Sequence, residues 1–319
     1  MSVPARLRPH APELGPMRRR LGSLHVTGVF WYRFHRWGVS ILPNWGVWVF
    51  ITLFTTFFFV ALRRIRKAIA ANLAAVLGPC GWWRRQARIY RTMWSFAWCL
   101  SERYERLATE RRVEDVGIEG GELWERAKER PEGLILVTAH VGHWEVGSML
   151  VQTRHVHVVR EEEMDPEAQA FVLELYEQQK DSGFTMHFVR DDPTLGARLL
   201  TALRRGELVA VQGDRPRSSA RSVAAEIFGR RLTVPAGPAA LARAAGVVML
   251  PVFVFRRGRR RSQVAFRPPI RVTGAGDEGL AEAMRRVVAE VEWAIRQEPY
   301  QWFCFRELWP GGGSTTGPE

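Results

Sequence analysis

The chain has 319 residues, 46% of them hydrophobic, which is enough for one large domain or two small ones and excludes a generally disordered protein. With 46 basic and 33 acidic residues the net charge is +13, which favours an anionic partner such as phosphates, an acidic protein, anionic lipids or nucleic acid. The three cysteines (Cys80, Cys99 and Cys304) form no metal-ligand spacing and argue for a reducing compartment rather than a disulfide scaffold.

The N-terminal third is predicted to associate with a membrane. Residues 1–22 are rich in proline and arginine and are predicted to form a basic mobile arm, and residues 23–110 a hydrophobic helical region. Gly46–Leu62 is a stretch of 17 uncharged residues, with Trp45 and Trp48 at its start and four basic residues directly after it. This pattern predicts a membrane-anchoring helix with the rest of the chain in the cytoplasm. A helix lying in the membrane interface and a buried core helix are the alternatives.

From 111 to 309 apolar runs alternate with helical patterns, which predicts an α/β domain with a mixed sheet flanked by helices. Strands are predicted at 133–138, 156–159, 184–189, 208–212, 247–255 and 263–266. Helices are predicted at 166–180, 193–205, 236–245 and 278–298. The Gly/Ser/Thr-rich residues 310–319 are predicted to be a disordered tail.

The segment Thr138–Ser148 (TAHVGHWEVGS) holds the candidate chemistry, because it follows a predicted buried strand and ligands bind beyond the carboxyl ends of such strands. His140 is the candidate general base, and Gly142 permits a tight turn. A turn can bring Glu145 back to the histidine, where a carboxylate fixes the ring tautomer and stabilises the imidazolium. The nucleophile is then the substrate's own hydroxyl. The alternatives are structural roles for both residues, or a metal site that includes His143.

His140, four intervening residues and Glu145 resemble the HX4D/E signature of the lysophospholipid acyltransferase superfamily. With Trp144 before the glutamate, the segment more narrowly resembles the bacterial lipid A biosynthesis (lauroyl/myristoyl) acyltransferase branch, which usually has Asn where His143 stands. Further blocks resemble that branch in the same order: 155–160, 206–215, 227–242, 247–253 and 299–303.

This resemblance implies a glycerolphosphate-acyltransferase-like fold and an O-acyltransferase that needs no cofactor or metal. The acyl chain would pass from an acyl-carrier-protein or acyl-CoA thioester to a hydroxyl of a lipid A-type glycolipid precursor, with His140 as base oriented by Glu145. The enzyme would lie at the bacterial inner membrane, on its inner leaflet, with the catalytic domain facing the cytoplasm. The residues implied for substrate binding are Arg160, Asp214, Arg215, Phe228 and Gly229.

Other functions are consistent with parts of the sequence. The acceptor could be another phospholipid or glycolipid, such as a lyso-phospholipid or a mannosyl-phosphoinositide. An esterase or thioesterase would use the same histidine and glutamate on water. A basic protein that binds membranes or nucleic acid without catalysis is the alternative outside the enzymes, although the sequence contains no recognisable nucleic-acid-binding motif and no nucleic-acid partner is expected.

Overall fold

The structure is a computed structural model and describes residues 29–109, 115–144, 154–161, 169–170, 173–174, 183–189, 194–215 and 221–309. The described α-helices are α1 (Val29–Ile41), α2 (Asn44–Ala61), α3 (Arg63–Leu77), α4 (Trp82–Thr109), α5 (Gly121–Lys128), α6 (Leu195–Arg204), α7 (Gly237–Ala245) and α8 (Gly276–Gln297). The described β-strands are β1 (Asp115–Glu119), β2 (Leu134–Thr138), β3 (Val156–Glu161), β4 (Phe184–Val189), β5 (Leu208–Gln212), β6 (Ser222–Ile227), β7 (Arg230–Pro235), β8 (Met249–Gly258) and β9 (Arg261–Phe266).

Seven strands form one mixed sheet in the order β1-β9-β8-β2-β5-β3-β4. The strands from β8 to β4 are parallel, β9 is antiparallel to β8, and β1 pairs parallel with β9 at one edge. Strands β6 and β7 form a separate antiparallel hairpin. The mixed sheet flanked by helices that the sequence predicts is therefore confirmed.

The central strands are continuous apolar runs because helices cover the sheet on both faces. Along β2, Ile135 and Val137 face the hydrophobic core formed with α6, α7 and α8. Leu134 and Leu136 face the other core, to which α5 contributes. Because alternate side chains of β2 are buried in two different cores, the strand lies at the centre of the domain. The residues that follow Thr138 therefore start from a rigid position.

The N-terminal helices pack as a group, with α1 and α4 both lying against α2. Among the described helices, α2 is the one that is long and apolar enough to cross a membrane, and 22% of it is buried inside the protein. The predicted hydrophobic helix over residues 46–62 is therefore confirmed as a helix, with the bounds Asn44–Ala61.

Some elements were not predicted. Strand β1 (Asp115–Glu119) is largely exposed at the sheet edge and lacks the apolar run by which central strands are recognised. The β6–β7 hairpin, which turns at Phe228 and Gly229, is not among the predicted strands either. The predicted arm (1–22), the predicted tail (310–319) and most of the predicted helix at 166–180 lie outside the described residues.

Candidate active site

His140 lies just beyond the carboxyl end of β2, between the neighbouring parallel strands β5 and β8. The chain turns sharply at Gly142, whose φ is +58°. A Cβ atom at this position would lie 2.3 Å from the carbonyl oxygen of Val254, closer than any side chain tolerates. The turn that presents His140 therefore requires glycine, as the sequence predicts.

The C-terminal segment Gln301–Phe303 holds this turn from the other side. The Phe303 amide donates to the His140 carbonyl at 2.8 Å, and the Gly142 amide donates to the Gln301 carbonyl at 3.0 Å. The Gln301 side chain makes two 2.8 Å bonds to the backbone of Arg256 in β8, one as acceptor and one as donor. The backbone around His140 is thus clamped between β8 and the C-terminal segment.

Asp214 is the carboxylate that contacts His140. It follows the end of β5, and its Oδ1 lies 2.7 Å from His140 Nδ1. Its other oxygen accepts a hydrogen bond of 3.2 Å from the indole Nε1 of Trp302. The Asp214 side chain is 0% exposed and that of His140 is 12% exposed. The ring edge that carries Nε2 points away from the aspartate, which is the arrangement of a general base with a buried orienting carboxylate.

Asp214 is ionised in this environment despite its burial. Burial alone raises the pKa of its carboxyl group. The adjacent His140, the guanidinium of Arg215 and the hydrogen bond from Trp302 outweigh that effect and hold the pKa of Asp214 below its ordinary value. A carboxylate that is ionised at neutral pH and lies at Nδ1 favours proton uptake at the opposite nitrogen of His140.

Of the remaining predicted site residues, Arg215, Phe228 and Gly229 lie close to the segment that holds His140, and Arg160 lies on the same edge of the sheet. Arg215 donates through Nη2 to the Phe303 carbonyl at 3.1 Å, next to the His140 clamp. The Phe228 ring lies 6.2 Å from the Trp302 ring, at the β6–β7 turn with Gly229, so it belongs to the same neighbourhood. Arg160 is 9% exposed and lies towards the carboxyl end of β3, on the same edge of the sheet. Glu145 lies outside the described residues.

The sequence indicates Trp302 and Gln301 only as part of the family-like block 299–303 and assigns them no role. Nothing in a single sequence marks an indole N–H as the partner of an aspartate 88 residues away. The resemblance at residues 299–303 was the one available signal, and it pointed to the right segment.

His143 belongs to a different network. Its Nδ1 lies 2.8 Å from Ser262 Oγ, and its Nε2 lies 2.7 Å from Glu102 Oε2. Arg256 binds the other oxygen of Glu102 at 3.1 Å. Burial raises the pKa of Glu102, but His143 and Arg256 outweigh burial and set that pKa below its ordinary 4.5. The ring nitrogens of His143 thus lie next to Ser262 and Glu102 rather than beside His140, so the described geometry does not support a metal site shared by the two histidines.

Comparison with known proteins identifies the family. No curated protein matches the chain significantly. The sequence profile of the family described as bacterial lipid A biosynthesis acyltransferase matches residues 17–310, which is nearly the whole chain and includes every residue of the site. The chain therefore belongs to the bacterial lipid A biosynthesis acyltransferase family and is an acyltransferase.

Proposed function

We propose that the protein moves a fatty acyl chain from a thioester, carried by acyl carrier protein or coenzyme A, to a hydroxyl of a lipid A-type glycolipid precursor. The observation that carries this proposal is the 2.7 Å contact between His140 Nδ1 and the fully buried Asp214. A histidine held in this way at the carboxyl end of a central strand is suited to deprotonate a hydroxyl. The fold we propose is the glycerolphosphate-acyltransferase-like one, which the helix-flanked mixed sheet supports.

The proposed reaction is direct transfer without a covalent enzyme intermediate. His140 Nε2 removes the proton of the acceptor hydroxyl, and the oxygen attacks the thioester carbonyl to form the new C–O bond. The C–S bond then breaks, and the departing thiolate takes the proton from the imidazolium. Asp214 stabilises that imidazolium throughout and holds the ring in one tautomer.

Two carboxylates, Glu145 and Asp214, are candidates for the residue that orients the His140 ring. The sequence pattern assigns it to Glu145, and the geometry favours Asp214, because an Asp214 oxygen already lies on the ring nitrogen that the role requires. We therefore assign the orientation of His140 to Asp214, as a positioning residue. This assignment replaces the substrate contact that the resemblance implied for Asp214.

The backbone near Gly142 is a poor source of oxyanion donors. The amides of Val141, Gly142 and His143 donate to carbonyl groups of Ala139, Gln301 and Val254, respectively. A negative oxygen on the tetrahedral intermediate therefore needs other donors, and guanidinium groups at the same sheet edge supply the right charge. We assign Arg160 and Arg215 to the substrate, either at this oxyanion or at an acceptor phosphate, and we place Phe228 and Gly229 beside the acyl acceptor.

The proposed setting is the cytoplasmic face of the bacterial inner membrane. The net charge of +13 suits both an acidic carrier protein and the anionic headgroups of the inner leaflet. The family itself is membrane-associated, and α2 provides an apolar segment for that association.

The test is a lipid mass spectrum of cells that lack the native copy and carry either the wild type or His140→Ala at matched protein levels. We expect the deletion and the variant to lose one acyl chain from a lipid A species and to accumulate its precursor, and the wild type to restore the product. Loss from a phospholipid or another glycolipid would keep the reaction and change the acceptor. An unchanged lipid profile in both the deletion and the variant would refute the proposal.

A further inference from the structure

Helix α2 presents an apolar stripe to solvent along its whole length. Its exposed large side chains recur every three or four residues, which places them on one helical face. They are Trp45, Trp48, Val49, Leu53, Phe57 and Val60, between 47% and 74% exposed. Thr52 and Thr56 fill the gaps, and each hydroxyl donates to a carbonyl four residues earlier, so these threonines add no unpaired hydroxyl donor to the stripe.

Helix α1 extends the same kind of surface, with Phe30, Trp37 and Ile41 exposed. We call the six exposed residues of α2 and these three of α1 the aromatic face. Together with Trp82 and Trp83 it accounts for eleven of the thirteen exposed large hydrophobic side chains in the described parts of the chain; the other two are Ile118 and Leu173. Such a concentration of apolar surface indicates an interaction site rather than chance exposure.

The charged residues in this part of the sequence are all basic. From residue 14 to residue 101 the sequence has no aspartate or glutamate, whereas it has a basic cluster at 63–67 and two arginines directly after Trp83. Arg63, Arg64 and Lys67 are exposed at the end of α2. Tryptophan rings and arginines at an apolar boundary fit the headgroup region of an anionic phospholipid bilayer.

Charged neighbours disfavour a crossing orientation for α2. Helix α1 runs antiparallel beside it, since the Trp31 ring packs 5.3 Å from Phe58 and the Phe34 ring packs 5.5 Å from Phe50. The arginine Arg36 therefore lies beside the middle of α2. If α2 crossed the bilayer, Arg36 would be carried to the centre of the hydrocarbon layer, where charged side chains are least tolerated.

The position of Arg33 leads to the same conclusion. Arg33 is exposed between Phe30 and Trp37, within the apolar stripe of α1. At the surface of a bilayer a helix enters only the boundary between headgroups and acyl chains, so an arginine in that stripe reaches the phosphates. In addition, the 18 residues of α2 span roughly 27 Å, slightly less than the thickness of a hydrocarbon core.

We propose that the aromatic face docks on an anionic phospholipid bilayer with α1 and α2 lying in the plane of the membrane, so that α2 does not cross it. The rings and aliphatic side chains enter the boundary layer, and the surrounding arginines bind lipid phosphates. The docking uses the solvent-exposed face of α2, whose Trp48 borders α4 at Trp94 and Trp98. The catalytic domain therefore rests on the membrane surface without unfolding any described contact.

Depth measurements on the full-length protein test this orientation. Single cysteines replace Trp45, Thr52 and Val60 in a Cys80→Ser background and carry nitroxide labels, and the protein is bound to vesicles of phosphatidylcholine and phosphatidylglycerol. We expect all three labels at the same shallow depth, as judged by collision with oxygen and with a water-soluble nickel chelate. In a crossing helix the labels at 45 and 60 would differ in depth by roughly 20 Å and lie at opposite interfaces, with Thr52 deepest, which would overturn the proposal.

Binding measurements test the partner. We expect Leu53→Ser to weaken partitioning onto these vesicles about ten-fold or more, and the wild type to bind pure phosphatidylcholine vesicles less tightly. The matched control is Ile118→Ser, because Ile118 on β1 is 65% exposed and Leu53 is 66% exposed. An equal loss of vesicle binding in both variants would refute docking on lipid, and so would a wild type that does not bind vesicles. Nitroxide labels that become shielded only when the protein self-associates in lipid-free solution would also refute it.

Discussion

Asp214→Asn removes the charge of the carboxylate that holds His140 while nearly preserving its shape. The amide fits the same buried space, and one of its atoms still meets Trp302 Nε1, 3.2 Å away in the wild type. The negative charge opposite the forming imidazolium is lost. Because Asp214 lies behind His140 and is 0% exposed, substrate binding is not directly touched, so we expect kcat to fall and KM to stay nearly constant.

The size of the effect follows from the geometry. A charge-assisted hydrogen bond contributes about 1.5–3 kcal/mol. Two unit charges about 4 Å apart interact by about 4 kcal/mol at the effective dielectric constant of a protein interior. A loss of about 2–4 kcal/mol from the transition state lowers kcat about 30- to 1,000-fold. Trp302→Phe removes only the indole donor and should cost about 3- to 10-fold.

The assay is release of free thiol from an acyl thioester in the presence of a lipid A precursor, with thermal melting as the folding check. The matched control is Glu102→Gln, which removes another buried carboxylate from a histidine, His143, outside the reacting atoms. That control should lose stability and keep kcat within about three-fold in its folded fraction. If folded Asp214→Asn retains wild-type kcat while Glu145→Gln loses it, Asp214 is not the partner of His140 and the reasoning fails.

Three further predictions follow from the structure. Gly142→Ala forces a Cβ against a backbone carbonyl at a positive φ, so we expect kcat to fall at least ten-fold with a lower melting temperature; unchanged kinetics would contradict the described turn. Glu102→Gln should lower the free energy of unfolding by about 3 kcal/mol at neutral pH, because the partly buried guanidinium of Arg256 loses its counter-charge and His143 loses its carboxylate partner. Because the pKa of Glu102 is lower in the folded state, the wild type keeps this stability above pH 4.5 and loses it as the pH falls further. The free energies of unfolding of the wild type and Glu102→Gln, measured by urea titration, should therefore converge in acid. A difference that stays constant with pH would refute the pairing. Burial raises the pKa of Cys304 to about 11, so only about one thiol in a thousand is ionised at pH 8, and mass spectrometry should find iodoacetamide on the partly exposed Cys80 long before Cys304.

The sheet was largely predictable because its central strands are short apolar runs between turn residues. Strands β4 and β5 have the predicted bounds, and β2 begins one residue later than expected. The edge strand β1 and the β6–β7 hairpin carry polar residues on their exposed faces and lack such runs, so single-sequence patterns did not reveal them.

The site was predictable only in part. His140 follows a recognisable strand, and Asp214 follows another, so both could be placed at strand ends. Their contact requires β2 and β5 to be neighbours in the sheet, although the two residues are 74 positions apart in the sequence. No local sequence pattern predicts this strand order. The nearby Glu145 was therefore the natural candidate, because it is close in sequence.

The clamp between residues 140–142 and 301–303 also has a consequence for biosynthesis. The Phe303 amide that fixes the His140 carbonyl is separated from it by 163 positions, the difference between 303 and 140. During translation this segment leaves the ribosome after every strand of the sheet, because residues 301–303 follow β9 in the chain. The contact that fixes the His140 backbone therefore cannot form until that segment has been synthesised, and we expect acyl transfer to begin only then.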